Sequence, residues 1–482
     1  LTQPVWAVRF DRWLFYTFLV LLIWAPLPLG SNRVWAIGLL AGLLGGLLGA
    51  FAIVGLYLKR SPLPALTRGW PAVAALAAFL LLLQFQLVAP WSGVSSVDPH
   101  HTRQHLVLAT VHASALLLVL LLVTSGRRLR LLALALVFSG VAQALLAIML
   151  HAAHAKTSLF YFEIDHALRA FGSFSYHNSL ANYLMMTLAL GIGLLLAGVE
   201  GGMAPMRGWR QRTAALLSFV LSPAMRLRLI LVLMVIALVL TKSRMGNVAL
   251  LLAIVALGVP LLYRAGRLSR RGLWLLLSIV AIDVAVVGQW IGFDRVAERL
   301  NETAIVRLNE TAIVRLDSPA EESLEDRSGP ALHALAMVAE RPLFGFGAGT
   351  FHVAFPRFGG PEIRQYYDHA HNDPVQFAAE TGLVGTALLS VLVVAALRRA
   401  VQVRRAPHAP LDAGLAFGLI LAIPAVLLQS TVDFHFQIPA NALTFVVLLG
   451  IAFVLRTQGV GQRSCHAPCF RHSPMTSGAC HV

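Results

Sequence analysis

Charge is what this sequence lacks. Only 12% of its 482 residues are Asp, Glu, Lys or Arg, just 22 are acidic, and 58% are apolar. A soluble enzyme of this size keeps about a quarter of its residues charged, so a water-soluble globular protein is excluded. Cysteine is scarce as well. Cys465, Cys469 and Cys480 all fall in the terminal tail, so no disulfide framework braces the rest of the chain. They alternate with His466, His472 and His481, but no second half at zinc-finger spacing exists, and amid Pro, Ser and Gly the segment reads as a disordered tail. Also missing is the short alternation of apolar and polar residues that marks a β-barrel. Stretches such as 34–58 and 131–150 are apolar all round, and in hydrocarbon such a segment satisfies its backbone only as a helix.

What is present is a series of apolar runs near the ~20 residues that cross a bilayer core. Twelve are expected, over 14–30, 34–58, 70–88, 105–125, 131–151, 179–198, 228–241, 245–263, 273–291, 376–397, 414–432 and 439–455. The expected fold class is therefore an all-α integral membrane protein. Residues 1–291 carry helices one to nine, 292–375 form a large helical periplasmic loop, 376–455 carry helices ten to twelve, and 456–482 form a cytoplasmic tail. The first run meets Pro26 and Pro28 without a small-residue cleavage site, so it reads as a retained helix rather than a signal peptide.

The net charge of +16 suggests nucleic acid until the charges are placed. The N-terminus, the even-numbered connections and the tail hold 24 of the 38 basic residues, among them Arg127, Arg128, Arg130, Arg398 and Arg399, against three acidic ones, Asp11, Glu200 and Asp412. The positive-inside rule puts these segments, and both termini, in the cytoplasm. The basic surplus thus matches anionic lipid headgroups and implies no nucleic-acid partner.

Chemistry is expected on the other face, where 12 of the 17 histidines gather. For any one of them taken alone, a packing or interfacial role is the commoner one. In the large loop, 299–306 and 307–314 repeat RLNETAIV, a duplication that lengthens an amphipathic helix by about two turns. The densest constellation is Tyr366-Tyr367-Asp368-His369-Ala370-His371-Asn372-Asp373-Pro374, just ahead of a helix carrying Glu380 and Gly382. Two histidines flanked by aspartates suit a general base or a metal. The spacing supplies no third and fourth ligand, which favours base over metal. A second feature is Lys242 and Arg244 in the turn Thr241-Lys242-Ser243-Arg244-Met245-Gly246. It is either a snorkelling pair or an anion site, because guanidinium offers a planar fork to phosphate. Arg327 and Arg341 add cations nearby in sequence. The glycines after Arg341, in Gly345-Phe346-Gly347-Ala348-Gly349, lack the Lys-Ser/Thr ending of a phosphate loop and read as a tight turn against the bundle. A third feature is the entry to helix six, where Tyr176, His177, Asn178 and Asn182 either belong to an interfacial belt or bind sugar hydroxyls.

His371-Asn372, followed after nine residues by Gly382-Leu383-Val384-Gly385-Thr386, resembles the H-[NSQ]-x9-G-x-x-G-T pattern of bacterial O-antigen ligases. The SRxG turn at 243–246, the F-G-x-F-x-x-x-N-x-x-A stretch at 171–181 and the R-P-L-x-G-x-G run from Arg341 are similar to the wider O-antigen ligase and polymerase superfamily. The resemblance covers nearly the whole chain apart from the tandem octad and the tail. It implies a glycosyltransferase of lipopolysaccharide biosynthesis in the bacterial inner membrane, with its active site facing the periplasm. The donor is an O-antigen glycan on undecaprenyl diphosphate and the acceptor is lipid A–core, with inversion at the anomeric carbon and neither metal nor cofactor. His371 is then the base, with His369 and Asp368 orienting it. Arg244 and Arg327, with Arg341 and Lys242, bind the diphosphate, and Tyr366, Tyr367, Tyr176 and Asn178 contact glycan. An O-antigen polymerase and a protein O-oligosaccharyltransferase are the cousins to weigh against it. A secondary transporter is the rival of another class, disfavoured by polar groups at the rim rather than the midplane.

Overall fold

The computed structural model describes residues 4–89, 93–155, 157, 159, 169–199, 223–264, 324–360, 366–406 and 409–456. Among them the chain is helical, with no strand. The principal helices are α1 (Val5–Trp24), α2 (Val34–Tyr57), α3 (Trp70–Val88), α4 (Pro99–Leu122), α5 (Gly126–Ala152), α6 (His177–Val199), α7 (Pro223–Leu240), α8 (Arg244–Ala253), α9 (Val259–Arg264), α10 (Leu324–Glu340), α11 (Asp373–Arg405), α12 (Pro410–Ser430) and α13 (Pro439–Val454). A π-helical stretch, Ile254–Gly258, joins α8 to α9 into one span. Eight spans among the described residues are long and apolar enough to cross a membrane, which makes this a multi-pass membrane protein. Of the other expected segments, α1 carries Arg9, Asp11 and Arg12, α7 carries Arg226 and Arg228, and α13 has 16 residues. The expected helix over 273–291, the tandem octad and the Cys/His tail lie outside the described residues.

Local chemistry sets the helix ends and explains why several differ from the apolar runs. α1 starts well before residue 14 because Arg128 on α5 reaches Asp11 at 2.6 Å and accommodates that charge. It ends ahead of Pro26 and Pro28, which cannot continue a helix. α4 starts at Pro99 rather than 105 because the Asp98 carboxylate accepts from the backbone N–H groups of His100 and His101, a cap worth about 1 kcal/mol. α11 starts where Asn372 Oδ1 accepts from Val375 N at 3.1 Å.

α6 and α12 form the centre of the bundle and are buried nearly all round. Their close crossing rests on glycine. A Cβ at Gly193 would stand 2.3 Å from the Gly414 carbonyl oxygen, and one at Gly414 would stand 2.3 Å from that of Gly193. Small residues at a membrane-helix contact replace the hydrophobic drive that lipid cannot supply with close backbone packing. α2 lies at the periphery and buries only the stripe Ala36, Leu40, Leu44 and Leu47.

One helix is interrupted, and the interruption positions the site. Gly382 inside α11 has φ 69 and ψ −178, so the helical hydrogen-bond ladder fails there. The strap over 342–347 fills the gap. Phe346 N donates to the Ala379 carbonyl at 3.0 Å, Gly347 N to the Glu380 carbonyl at 2.8 Å, and Leu383 N to the Pro342 carbonyl at 2.8 Å. Gln86 on α3 completes the repair by donating to the Phe344 and Glu380 carbonyls. Backbone left unpaired at membrane depth would cost several kcal/mol per group. The glycines after Arg341 therefore make a close turn against the bundle. Gly345 and Gly382 approach neighbouring backbone so closely that a Cβ at either would lie within 2.4 Å of it.

At the far end of α11 the basic residues gather. Arg399 donates to the Leu455 carbonyl at 3.0 Å, Arg456 to that of Thr124, and Arg128 to that of Leu122. This end is opposite the one that carries His371.

Candidate active site

Three chain segments meet at the start of α11: residues 366–372, the turn after α12, and the start of α6. Asn372 ties the first two together, since its Nδ2 donates to the Thr431 carbonyl at 2.8 Å while its Oδ1 caps α11. Asp373 Oδ2 accepts from Phe436 N at 3.0 Å. Asn178 joins α6 to the same turn, donating to Asp433 Oδ2 at 2.7 Å and to the Tyr176 hydroxyl at 2.9 Å.

His371 sits inside this clasp with φ 51. A non-glycine residue in the left-handed region stores on the order of 1–3 kcal/mol, strain that persists where the surroundings over-determine it. Its Nδ1 lies 3.9 Å from Asp433 Oδ1, with the two side chains 11% and 3% exposed. That is ion-pair range, beyond hydrogen-bond length. Phe434 is the plate on which the site is assembled. His369 stacks on it at 4.5 Å, Tyr176 stacks at 5.6 Å, and His371 stands edge-on at 5.0 Å. Tyr367 lies edge-on to His371 at 6.2 Å.

His369 plays a different part. Ala370 N donates to Gln376 Oε1 at 3.0 Å, which turns the amide nitrogen of Gln376 toward His369 Nδ1 at 3.2 Å and Glu380 Oε1 at 3.1 Å. With that nitrogen as donor to both, His369 Nδ1 accepts and the ring proton sits on Nε2. Burial, and then the neighbouring His371, push the His369 pKa down from 6.5 to about 3. In the unfolded chain the same ring takes up its proton near 6.5, so stability is fully present above that value and drains away as pH falls toward 3. The expected result is a lower melting temperature at pH 5 than at pH 7, with a shallower slope in His369→Gln. Thermal melts in detergent check this, and an unchanged slope in the variant would refute it.

Glu380 is buried in the glycine strap. Its carboxylate accepts from Gly349 N at 2.8 Å and Phe351 N at 3.3 Å. The acceptor that this glycine-rich turn surrounds is thus one of the chain's own side chains.

The remaining candidates lie on other segments. Lys242 and Arg244 are exposed on the turn from α7 to α8, where Ser243 caps α8 through Gly246 N at 3.3 Å. That turn is seated tightly on Ala181 of α6 and Gln429 of α12, near the helix ends that lead to Asn178 and Asp433. Arg327 lies in the first turn of α10. Arg341 packs its guanidinium 4.6 Å over Phe346 and donates to the Ser95 carbonyl at 3.1 Å, so it braces the strap. Tyr366 is 69% exposed. Asp368 is also exposed, and its charge acts on His352. The carboxylate beside His371 is Asp433.

Sequence reasoning missed Asp433, Phe434, Gln376 and Arg169, whose Nη1 lies 2.9 Å from His177 Nε2. The one legible signal was the run Asp433-Phe434-His435-Phe436 between two apolar helices. It is too polar and aromatic for an ordinary short connection.

Beneath the clasp lies a cavity of about 320 Å3, walled by α3, α4, α11 and α13. Its lining is apolar except for a few groups, including His105, His112, Asp373 and Glu380. Among the described residues, no group of three or more His, Cys, Asp or Glu side chains is placed to hold a metal ion.

The described residues thus form a helical membrane bundle with a histidine and a carboxylate at one rim, above a largely apolar cavity. Residues 229–390 match the family model described as O-antigen ligase. The match takes in Lys242, Arg244, Arg341, His369, His371 and Gly382, and supports a function of the O-antigen ligase or polymerase type. No curated protein matches the chain.

Proposed function

We propose that this protein is an O-antigen ligase that transfers a glycan from undecaprenyl diphosphate to lipid A–core oligosaccharide, with inversion and without a metal. The observation that carries the reading is His371, held at φ 51 with Asp433 3.9 Å from its Nδ1, inside the matched segment and above the apolar cavity. Asp433 stabilises the imidazolium that forms and favours a proton on Nδ1, which leaves Nε2 to act as base. Nε2 removes the proton from an acceptor sugar hydroxyl. The oxygen then bonds to the anomeric carbon as the bond to the diphosphate oxygen breaks, and the electron pair leaves with undecaprenyl diphosphate. His369 carries its proton on Nε2 and so serves as a hydrogen-bond donor beside the base, with Asp368 at the rim.

Arg244, on a turn seated against α6 and α12, receives the negative charge that develops on the diphosphate. Lys242, Arg327 and Arg341 add to that positive field. Tyr176, Asn178, Tyr366 and Tyr367 offer rings and an amide to the sugars. The apolar cavity takes part of the isoprenoid chain. Both termini lie in the cytoplasm and the site in the periplasm, a reading supported by the arginine contacts at the opposite end of the bundle.

The test is transfer by purified protein in liposomes, supplied with undecaprenyl-diphosphate glycan and lipid A–core in the presence of a chelator. Glycan appearing on lipid A–core is the expected result. Elongation of the lipid-linked glycan alone would make the protein a polymerase. Activity that needs an added divalent ion would refute the metal-free mechanism.

A further inference from the structure

We propose that a second pocket, at the end of the bundle opposite His371, binds the headgroup of an anionic phospholipid. Arg398 lies 16 residues beyond the interruption at Gly382, about 24 Å further along α11 at 1.5 Å per residue. There a cavity of about 640 Å3 opens between the start of α3, the last part of α11 and Phe453 of α13. Arg68, Arg398 and Arg399 line it, and no acidic side chain does. Arg399 is fixed by its bond to the Leu455 carbonyl. Neither Arg68 nor Arg398 is ion-paired among the described residues. Three guanidinium groups with no carboxylate among them repel one another, and a phosphate group supplies the missing charge together with acceptors matched to their planar donors.

The shape of the pocket distinguishes a lipid from a free phosphate. From the arginine-lined mouth it runs along α11 past Ala395, Val394 and Val391 to Ser390, about 12 Å toward the middle of the helix. Val391 and Val394 are 50% and 45% exposed, and Trp70 at the rim is 66% exposed. Valines left uncovered on a membrane helix suit acyl chain, and tryptophan favours the headgroup level. A basic mouth continued by an apolar wall has the amphipathic order of a phospholipid. The inference does not depend on the reaction at the other end.

The test uses full-length, delipidated protein in neutral detergent, with phosphatidylglycerol, phosphatidylcholine or inorganic phosphate added separately. Phosphatidylglycerol is expected to raise the melting temperature and to give a one-to-one adduct by native mass spectrometry, while the other two do neither. The double variant Arg68→Gln/Arg398→Gln should weaken binding about thirtyfold, from roughly 1 kcal/mol per basic residue near an anionic headgroup. Val394→Trp, which fills the apolar wall and leaves every charge in place, should also abolish the adduct. Arg127→Gln/Arg130→Gln alters exposed charges at the same end but outside the pocket, and should bind as wild type. Equal binding of phosphatidylcholine, an equal shift with inorganic phosphate, undiminished binding by both pocket variants, or a matching loss in the Arg127/Arg130 variant would each overturn the proposal.

Discussion

Replacing His371 with alanine is expected to cut transfer by roughly a hundred- to ten-thousandfold, the span over which a positioned general base contributes. The loss should fall on kcat, since the base acts on a proton in flight rather than on ground-state binding. Because His371 has φ 51, alanine also perturbs the backbone. His371→Asn is the cleaner variant, as asparagine tolerates the left-handed region. Both should be inactive, and only the alanine variant should lose stability. Asp433→Asn keeps the shape but removes the charge 3.9 Å from Nδ1. A neighbouring anion favours the protonated ring, so its loss should slow transfer and move the acid limb of the pH–rate profile to lower pH. Substantial activity in His371→Asn, measured by single-turnover transfer in liposomes, would remove His371 from the reaction.

The second large effect is expected at a residue with no reactive group. Gly382→Ala should abolish both folding yield and activity. The backbone there lies in a region open almost only to glycine, costing on the order of 1–3 kcal/mol for any other residue. A Cβ would also stand 2.1 Å from the Leu343 carbonyl oxygen. That oxygen belongs to the strap that repairs the helix, so it cannot move aside without undoing several hydrogen bonds. Gly42→Ala on α2 is the control, since a Cβ there meets nothing and alanine favours a helix by about 1 kcal/mol over glycine. Detergent melts and transfer rates for the two variants decide the matter. Wild-type behaviour in Gly382→Ala would mean that the interruption of α11 is dispensable.

Much of the architecture was legible because hydrocarbon imposes so few options. An all-round apolar stretch such as 34–58 had to be a helix, and α2 follows it closely. Two ends that the apolar runs placed at 105 and 30 could still have been recovered from local sequence, through the Asp98 cap and Pro26. The start of α1 could not, because it depends on Arg128 reaching Asp11 from another helix. The site divides in the same way. His369 and His371 announced themselves by clustering with Asp368 and two tyrosines. Asp433 and Phe434 come from a turn some 60 residues further on, and only the packing of α12 against α6 and α11 brings them in. The glycines of 345–349 suggested a turn, but not that Glu380 would accept its N–H groups. Nothing local to Glu380 marks it as a hydrogen-bond acceptor for a distant loop.

The glycine contacts carry a genetic consequence. At Gly382 and Gly345, and again at Gly193 and Gly414, the atoms that a new side chain would strike belong to backbone, and in the second pair each glycine obstructs the other. A clash between two side chains can be relieved by trimming the partner, but a partner already reduced to backbone has nothing left to lose. Suppressor screens begun from a bulky allele at these positions should therefore recover reversion at the same codon and no compensating change elsewhere. The four sites form a part of the chain where drift is closed in both directions.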